Sequence, residues 1–295
     1  MAKARNYFGL RTGSTKSKTF SILNGWQIEK DRVYGGKNPR TNAQMTQRMV
    51  MATASAAYAA MREIANHSFE GVTYGQPSMS KFVSDNAKLL RQNLSAVTSQ
   101  FAYNMYQDRG LVPGAYKLSQ GTLPVPSFAY SLSSGDQQLS LVLNPTGLAQ
   151  SWTANDFANA LGLSVGEMAT ICTIFGNAAA TGFNFAFIRI TFKKTGTTAI
   201  TAANLADYFD IESSIGTPSV TVNAANLTLL FGNVDINDAT ACAKCVIYSR
   251  SSANGWLRST AVFTIPAGMA LTPDADTALS TYPVGTDYVL NGGSI

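Results

Sequence analysis

Charged residues, histidine and cysteine are all scarce in this sequence of 295 residues. Charged residues make up 13% of the chain, about half the share in a typical soluble domain, while apolar residues make up 45%. A surface with so little charge is solvated by Ser, Thr, Asn and Gln, and it could tolerate contact with like surfaces in a shell or filament. The composition therefore favours an assembly role, and the length allows one large or two modest domains.

The three cysteines are too few for a disulfide framework, so we expect synthesis in the cytosol. Zinc would need about four ligands, and Cys242-x-x-Cys245 has only Cys172 and His67 to complete the set. Residues three apart in a strand face opposite sides, which is poor geometry for one metal ion. We therefore interpret the cysteines as buried apolar side chains and predict no metal site.

Recognisable catalytic motifs are also missing. His67 is the only histidine, and no nucleophile motif such as Gly-x-Ser-x-Gly accompanies it. No glycine-rich phosphate loop of standard spacing occurs, and the carboxylates are scattered in predicted loops. No run approaches the roughly 18 apolar residues of a membrane span, and no signal peptide is recognisable. We predict a protein that is not an enzyme, needs no cofactor and has no membrane span.

The charge that is present is unevenly distributed. Residues 1–48 contain ten Lys or Arg against two acidic residues, a balance of +8, whereas the remainder has a balance of −3. Basic N-terminal segments commonly contact nucleic acid by neutralising phosphates and releasing counterions. Aromatic residues such as Trp26 and Tyr34 are interleaved with the charges, which a purely solvated tail would lack. The predicted nucleic-acid-binding residues are Lys3, Arg5, Arg11, Lys16, Lys18, Lys30, Arg32, Lys37, Arg40 and Arg48.

Residues 1–40 are predicted to form an extended basic arm, and residues 41–117 a helical region. Within the arm, Asn24-Gly25 lies between apolar runs and predicts a hairpin. The segment 43–65 contains no Gly or Pro and is rich in Ala, so it predicts a long helix, buried in the core of one chain or between subunits. Further helices are predicted over 79–94, with Ser78 or Ser80 as the cap, and over 95–109.

Residues 118–295 are predicted to form an antiparallel β-sandwich, of which a jelly roll is one form. Strands are expected at 127–133, 138–144, 183–193, 219–223, 226–232, 241–250 and 256–265. Thr153 to Asp156 and Ser164 to Glu167 both resemble capping boxes, so two short helices are predicted as an insertion at about 152–175. A DNA-reading helix-turn-helix is disfavoured there, because the second helix would contain no Lys or Arg.

The sequence around the start of the predicted helical region resembles a known group of proteins. An Asn-Pro-Arg-Thr segment at 38–41 is followed by Gln44, Gln47 and Arg48. This arrangement resembles the opening of uncharacterised proteins from Bacteroidota and gut bacteriophages, in which a short basic β arm precedes such a segment. The segment 68–82 is also similar to proteins of small phages.

The end of the chain adds to this resemblance. Val246 to Tyr248 and Arg258 to Ala261 resemble the C-terminal strand pair of the same group. The resemblance covers about a third of the chain and brings no activity with it. It implies a phage or prophage context.

These observations favour a structural protein of a bacteriophage virion, foremost a capsid protein that assembles with itself. Its basic arm would contact packaged nucleic acid, and the protein would reach the virion after synthesis in the bacterial cytoplasm. One alternative is a non-virion protein that binds single-stranded nucleic acid, with aromatic side chains stacking on bases. A second alternative is a tail, fibre or adhesin component, which the β-rich half, with its many Thr, Asn and Ser residues, would suit.

Overall fold

The protein is mainly β, and the named strands in its described residues pair antiparallel, as the sequence predicts. A computed structural model describes residues 2–4, 12–23, 26–32, 42–95, 111, 114–125, 129–135, 137–144, 152–179, 182–223, 226–237, 242–253 and 255–266. The described residues divide into two compact units, one ending at residue 32 and the other beginning at residue 42. Within these ranges, no helix combines the length and the hydropathy needed to cross a membrane.

The first unit is a small sheet whose strands have the order β1-β4-β3-β2. The strands are β1 (Ala2–Ala4), β2 (Gly13–Ser14), β3 (Lys18–Leu23) and β4 (Trp26–Asp31). β3 and β4 pair along their whole length, so the predicted hairpin is present. The described residues of the predicted extended arm therefore form a sheet rather than a single extended chain, because β3 and β4 satisfy each other's backbone hydrogen bonds.

The second unit begins with three helices, α1 (Asn42–Ala60), α2 (Arg62–Ala65) and α3 (Gln76–Ser95). The predicted helix over 43–65 is present, with a break at Met61. α3 begins earlier than predicted, and Pro77 fits its first turn because no N–H is needed there. Ser78 is not its cap, since its buried hydroxyl donates to the Ala65 carbonyl at 2.7 Å. The predicted helix over 95–109 lies outside the described residues, apart from Ser95 at the end of α3.

The remaining elements of the second unit are strands, with two short helices between them. Their bounds are β5 (Lys117–Ser119), β6 (Ala129–Gly135), β7 (Gln138–Asn144), α4 (Ala154–Leu161), β8 (Met168–Gly176), β9 (Phe183–Phe192), α5 (Leu205–Tyr208), β10 (Phe209–Ser213), β11 (Ser219–Val222), β12 (Leu227–Phe231), β13 (Ala243–Ser252), β14 (Gly255–Arg258) and β15 (Ala261–Val262). A five-stranded sheet has the order β10-β9-β8-β13-β14, and a four-stranded sheet has the order β11-β12-β7-β6. β5 and β15 form a separate pair.

The five-stranded sheet contributes to two buried clusters, one on each of its faces. On one face, Phe187 and Ile247 belong to the cluster that contains Phe82 of α3. On the other face, Ile188 belongs to the cluster that contains Leu229 of the four-stranded sheet. Alternate residues of a strand point to opposite faces, so β9 supplies side chains to both clusters.

The predicted helical insertion is half right. α4 is capped as expected, because the Asp156 N–H donates to the Thr153 hydroxyl at 3.2 Å and the Asp156 carboxylate accepts from the Thr153 N–H at 2.9 Å. The second predicted helix is wrong, since a turn at Ser164 to Glu167 leads into β8. β8 is buried on both faces, so its residues lack the polar alternation that marks a half-exposed strand. A helix-turn-helix is therefore absent from this described segment.

The predicted domain boundary between residues 117 and 118 falls inside β5. Hydrogen bonds connect the segment after β5 both to the loop that follows α2 and to β14. The Glu70 N–H donates to the Gln120 carbonyl at 2.9 Å, and the Leu123 N–H donates to the Arg258 carbonyl at 2.8 Å. The buried Ser119 hydroxyl lies 2.6 Å from the Ser259 carbonyl. This Gly- and Pro-containing segment therefore holds helices and strands together.

Candidate nucleic-acid interface

The register of the N-terminal sheet places basic and acidic residues on opposite faces. Residues opposite each other in neighbouring strands share a face, and so do residues two apart in one strand. Lys30 pairs with Thr19, and Ile28 pairs with both Ser21 and Lys3. The Trp26 face consists of Lys3, Ser14, Thr19, Ser21, Leu23, Trp26, Ile28 and Lys30. Among the described residues, this face contains two lysine positions and no acidic one.

The opposite face contains both carboxylates of the sheet. Glu29 and Asp31 lie there with Lys18, which is the register partner of Asp31. The Lys18 ammonium forms an ion pair with Glu29, and this hydrogen bond raises the pKa of Lys18. The positive charge on this face is therefore balanced within the sheet, whereas the described positions of the Trp26 face include no carboxylate.

The basic residues predicted to bind nucleic acid fall into three groups. Lys16, Lys18, Lys30 and Arg32 are exposed, and Lys3 occupies a position in β1. Arg32 also contacts the turn before β3, where its Nη1 donates to the Thr15 carbonyl at 3.2 Å. Arg48 lies on α1 in the other compact unit. Arg5, Arg11, Lys37 and Arg40 lie outside the described residues.

Trp26 gives this face a second kind of contact. Its side chain is 42% exposed, although indole is usually among the more buried groups. Trp26 and Lys30 are four residues apart on one strand, which separates their backbone positions by roughly 13 Å. An ammonium group can neutralise a phosphate and an indole can stack on a base, so the Trp26 face has the chemistry of a single-strand binding surface.

The cysteines do not form a metal site in the described structure. Cys172 of β8 lies directly opposite Cys245 of β13, and both side chains are buried. Burial is the main cause that raises the pKa of the Cys245 thiol. Within the described ranges, no group of three His, Cys, Asp or Glu side chains is arranged to hold a metal ion.

Comparison of this chain with protein-family models, with curated proteins and with solved structures gave no match. Its functional assignment therefore depends on the chemistry of its own residues.

Proposed function

We propose that this chain is a structural protein of a bacteriophage virion, specifically a capsid protein whose basic N-terminal region contacts packaged nucleic acid. The observation that carries this proposal is the separation of charge in the N-terminal sheet. The Trp26 face has Lys3 and Lys30 without an acidic residue among its described positions, while Glu29 and Asp31 lie on the other face. A surface of this kind attracts a polyanion through phosphate neutralisation.

The rest of the chain is consistent with a shell subunit. Charged residues make up only 13% of the sequence, so subunits could cover one another's surfaces at little cost in charge desolvation. The proposed architecture is a sandwich of the five-stranded and four-stranded sheets, of which a jelly roll stays a predicted form. The resemblance to gut-phage proteins supports a virion as the location. α1 packs within its own chain, where Val50, Ala54 and Ala57 are buried.

The first test is the salt dependence of binding to a single-stranded oligonucleotide. The double variant Lys3→Gln/Lys30→Gln should reduce the slope of log K against log salt by roughly 1.4, since each lost phosphate contact on a single strand contributes about 0.7. Lys18→Gln is the matched control, because its charge is already paired with Glu29. An equal loss of slope in both variants would show that the Trp26 face is not the interface.

A non-virion protein that binds single strands is the second candidate, and the exposed indole of Trp26 favours it. For this function, Trp26→Ala should weaken oligonucleotide binding by about 1 to 3 kcal/mol for the base that stacks on it. Fluorescence anisotropy measures this loss. Unchanged affinity would remove the stacking role and with it the reason for preferring this candidate.

Light scattering of the purified chain at low and high salt separates the two candidates. A large closed assembly supports the capsid protein, whereas a monomer or dimer at every salt concentration supports the non-virion protein. If the chain is found in a particle with the basic region on the outside, it is instead a tail, fibre or adhesin component.

A further inference from the structure

A cleft of about 270 Å³ lies in the second unit, on the side of the five-stranded sheet that also contacts the helices. α2 and the loop after it form one wall, and four strands of the sheet form the other. Its lining residues are Glu63, Ile64, His67, Ser68, Met168, Thr170, Arg189, Ile247, Ser249, Trp256 and Arg258. We call it the arginine cleft, after Arg189 and Arg258.

The strand register brings the two arginines to this cleft. Arg189 of β9 is opposite Thr170 of β8, and Arg258 of β14 is opposite Ser249 of β13. These two cross-strand pairs are neighbours on the same face of the sheet. Ser249 is also opposite Met168, which lies two residues before Thr170 in β8. Farther along the same face the sheet is apolar and contacts the helices. The two guanidinium groups therefore lie where this face changes from apolar to polar.

The described residues do not satisfy all the donors of either guanidinium. Arg189 donates to Glu212 through Nη1 at 2.6 Å, but its Nε is buried without a hydrogen-bond partner among the described residues. Arg258 donates through Nε to the His67 carbonyl at 3.2 Å, but its Nη1 is buried and has no partner within the part of the chain that the structure describes. A buried donor left unpaired typically costs about 1 to 3 kcal/mol, so native structures contain few of them.

The charges around Arg258 are also incompletely balanced. Arg258 forms no ion pair with any carboxylate of the described residues. Glu70 is nearby, but its carboxylate accepts from the Thr122 N–H at 2.9 Å and from the backbone N–H of Arg258 at 3.3 Å. Burial lowers the pKa of Arg258, the neighbouring positive charge of Arg189 lowers it further, and the negative charge of Glu70 opposes this shift without cancelling it. Of the described residues that line the cleft, only the exposed Glu63 on the α2 wall is acidic.

We propose that the arginine cleft binds a phosphate-type oxyanion between Arg189 and Arg258. Guanidinium groups match phosphate oxygens in geometry, and hydrogen bonds to an anion are stronger than those between neutral groups. An anion at this position would offset the repulsion between the two cations and accept from donors that the described residues leave unpaired. Trp256 also lines the cleft and is 45% exposed, so an organic group attached to the phosphate could contact its ring. This site does not depend on the proposed virion function.

The test is calorimetric titration of the full chain with inorganic phosphate at constant ionic strength. Arg189→Gln and Arg258→Gln should each weaken binding about tenfold to a hundredfold, because each removes a charge-assisted hydrogen bond. Arg250→Gln is the matched control. Like Arg189, Arg250 is ion-paired to a glutamate, in this case Glu167, but Arg250 lies outside the cleft. Absence of phosphate binding by the unmodified chain, or an equal loss in the control, would overturn the site.

Two further arms complete this experiment. If Arg258→Gln does not fold by circular dichroism, Arg258→Lys replaces it, and it should bind phosphate more weakly than the unmodified chain because the ammonium lacks the planar fork. Phosphate affinity equal to that of the unmodified chain would contradict the proposed role of Arg258.

A 5′-mononucleotide is titrated beside inorganic phosphate to identify the source of the anion. If the nucleotide binds more tightly than inorganic phosphate, and this difference disappears in Trp256→Ala, the ligand is a phosphate attached to an organic group. Equal affinity for the nucleotide and inorganic phosphate supports free phosphate as the ligand.

Discussion

Gly121→Ala is expected to lower the free energy of unfolding by about 2 to 4 kcal/mol, which is large for the addition of one methyl group. The new Cβ would overlap the carbonyl oxygen of Arg258 and lie 2.7 Å from its carbonyl carbon. It would also lie 2.6 Å from Oε2 of Glu70. A side chain can rotate away from such a contact, but the backbone of Arg258 cannot, so the segment itself must move.

Movement of this segment would break hydrogen bonds that hold the second unit together. The Arg258 carbonyl accepts from the Leu123 N–H at 2.8 Å, and the Gly121 carbonyl accepts from the Thr260 hydroxyl at 3.3 Å. The Glu70 carboxylate accepts from the backbone and the hydroxyl of Thr122. The expected loss of stability therefore combines the steric overlap with these bonds.

Gly135→Ala is the matched control for this substitution. A Cβ at Gly135 has no heavy atom within 4 Å, and its backbone φ is not in the left-handed region. Such a Gly-to-Ala change can stabilise a protein by about 0.4 to 1 kcal/mol, since it restricts the unfolded chain. Urea unfolding followed by circular dichroism compares the two variants. If Gly121→Ala is as stable as Gly135→Ala, the packing described around residue 121 is incorrect.

Asn86→Ala is expected to cost about 2 to 4 kcal/mol of unfolding free energy. Asn86 is 1% exposed and connects α3 to β5. Its Nδ2 donates to the carbonyls of Phe82 at 2.9 Å and Lys117 at 3.1 Å, while its Oδ1 accepts from the Lys117 N–H at 2.7 Å. Alanine would remove three hydrogen bonds and leave polar backbone groups without this partner in a buried place.

Two companion variants sharpen this second measurement. Ser84→Ala lies on the exposed side of α3 and should stay within about 0.5 kcal/mol of the unmodified protein. Asn86→Asp keeps the acceptor for Lys117 but turns a donor into an oxygen facing two carbonyls, so it should also destabilise the fold. Thermal or urea unfolding in which Asn86→Ala behaves like Ser84→Ala would refute the role assigned to Asn86.

Strands with one apolar face are among those that the sequence predicts well. In β7, Leu139, Leu141 and Leu143 are buried and alternate with less buried residues, and β12 has the same pattern. The sequence wrongly predicts β8 as a helix, because both faces of this strand are covered and polar alternation disappears. The capping-box pattern at Ser164 to Glu167 added to this error, although it stabilises a turn there.

The candidate sites differ in how far the sequence predicts them. An excess of Lys and Arg near the N-terminus can be counted, but the grouping of Lys3 with Trp26 and Lys30 on one face depends on strand register. The arginine cleft has no signature in the sequence at all. Arg189 and Arg258 belong to strands far apart in the chain, and only the sheet order β9-β8-β13-β14 brings them near each other.

The position of β8 between β9 and β13 has a consequence for synthesis on the ribosome. β9 follows β8 closely, but β13 is translated much later, so the second edge of β8 stays open in the nascent chain. Met168–Gly176 contains no charge and no proline to discourage pairing with another copy. A chain that stops before Ala243 would therefore leave one edge of β8 unpaired, and we expect pairing with β13 to remove this aggregation-prone edge from the newly made protein.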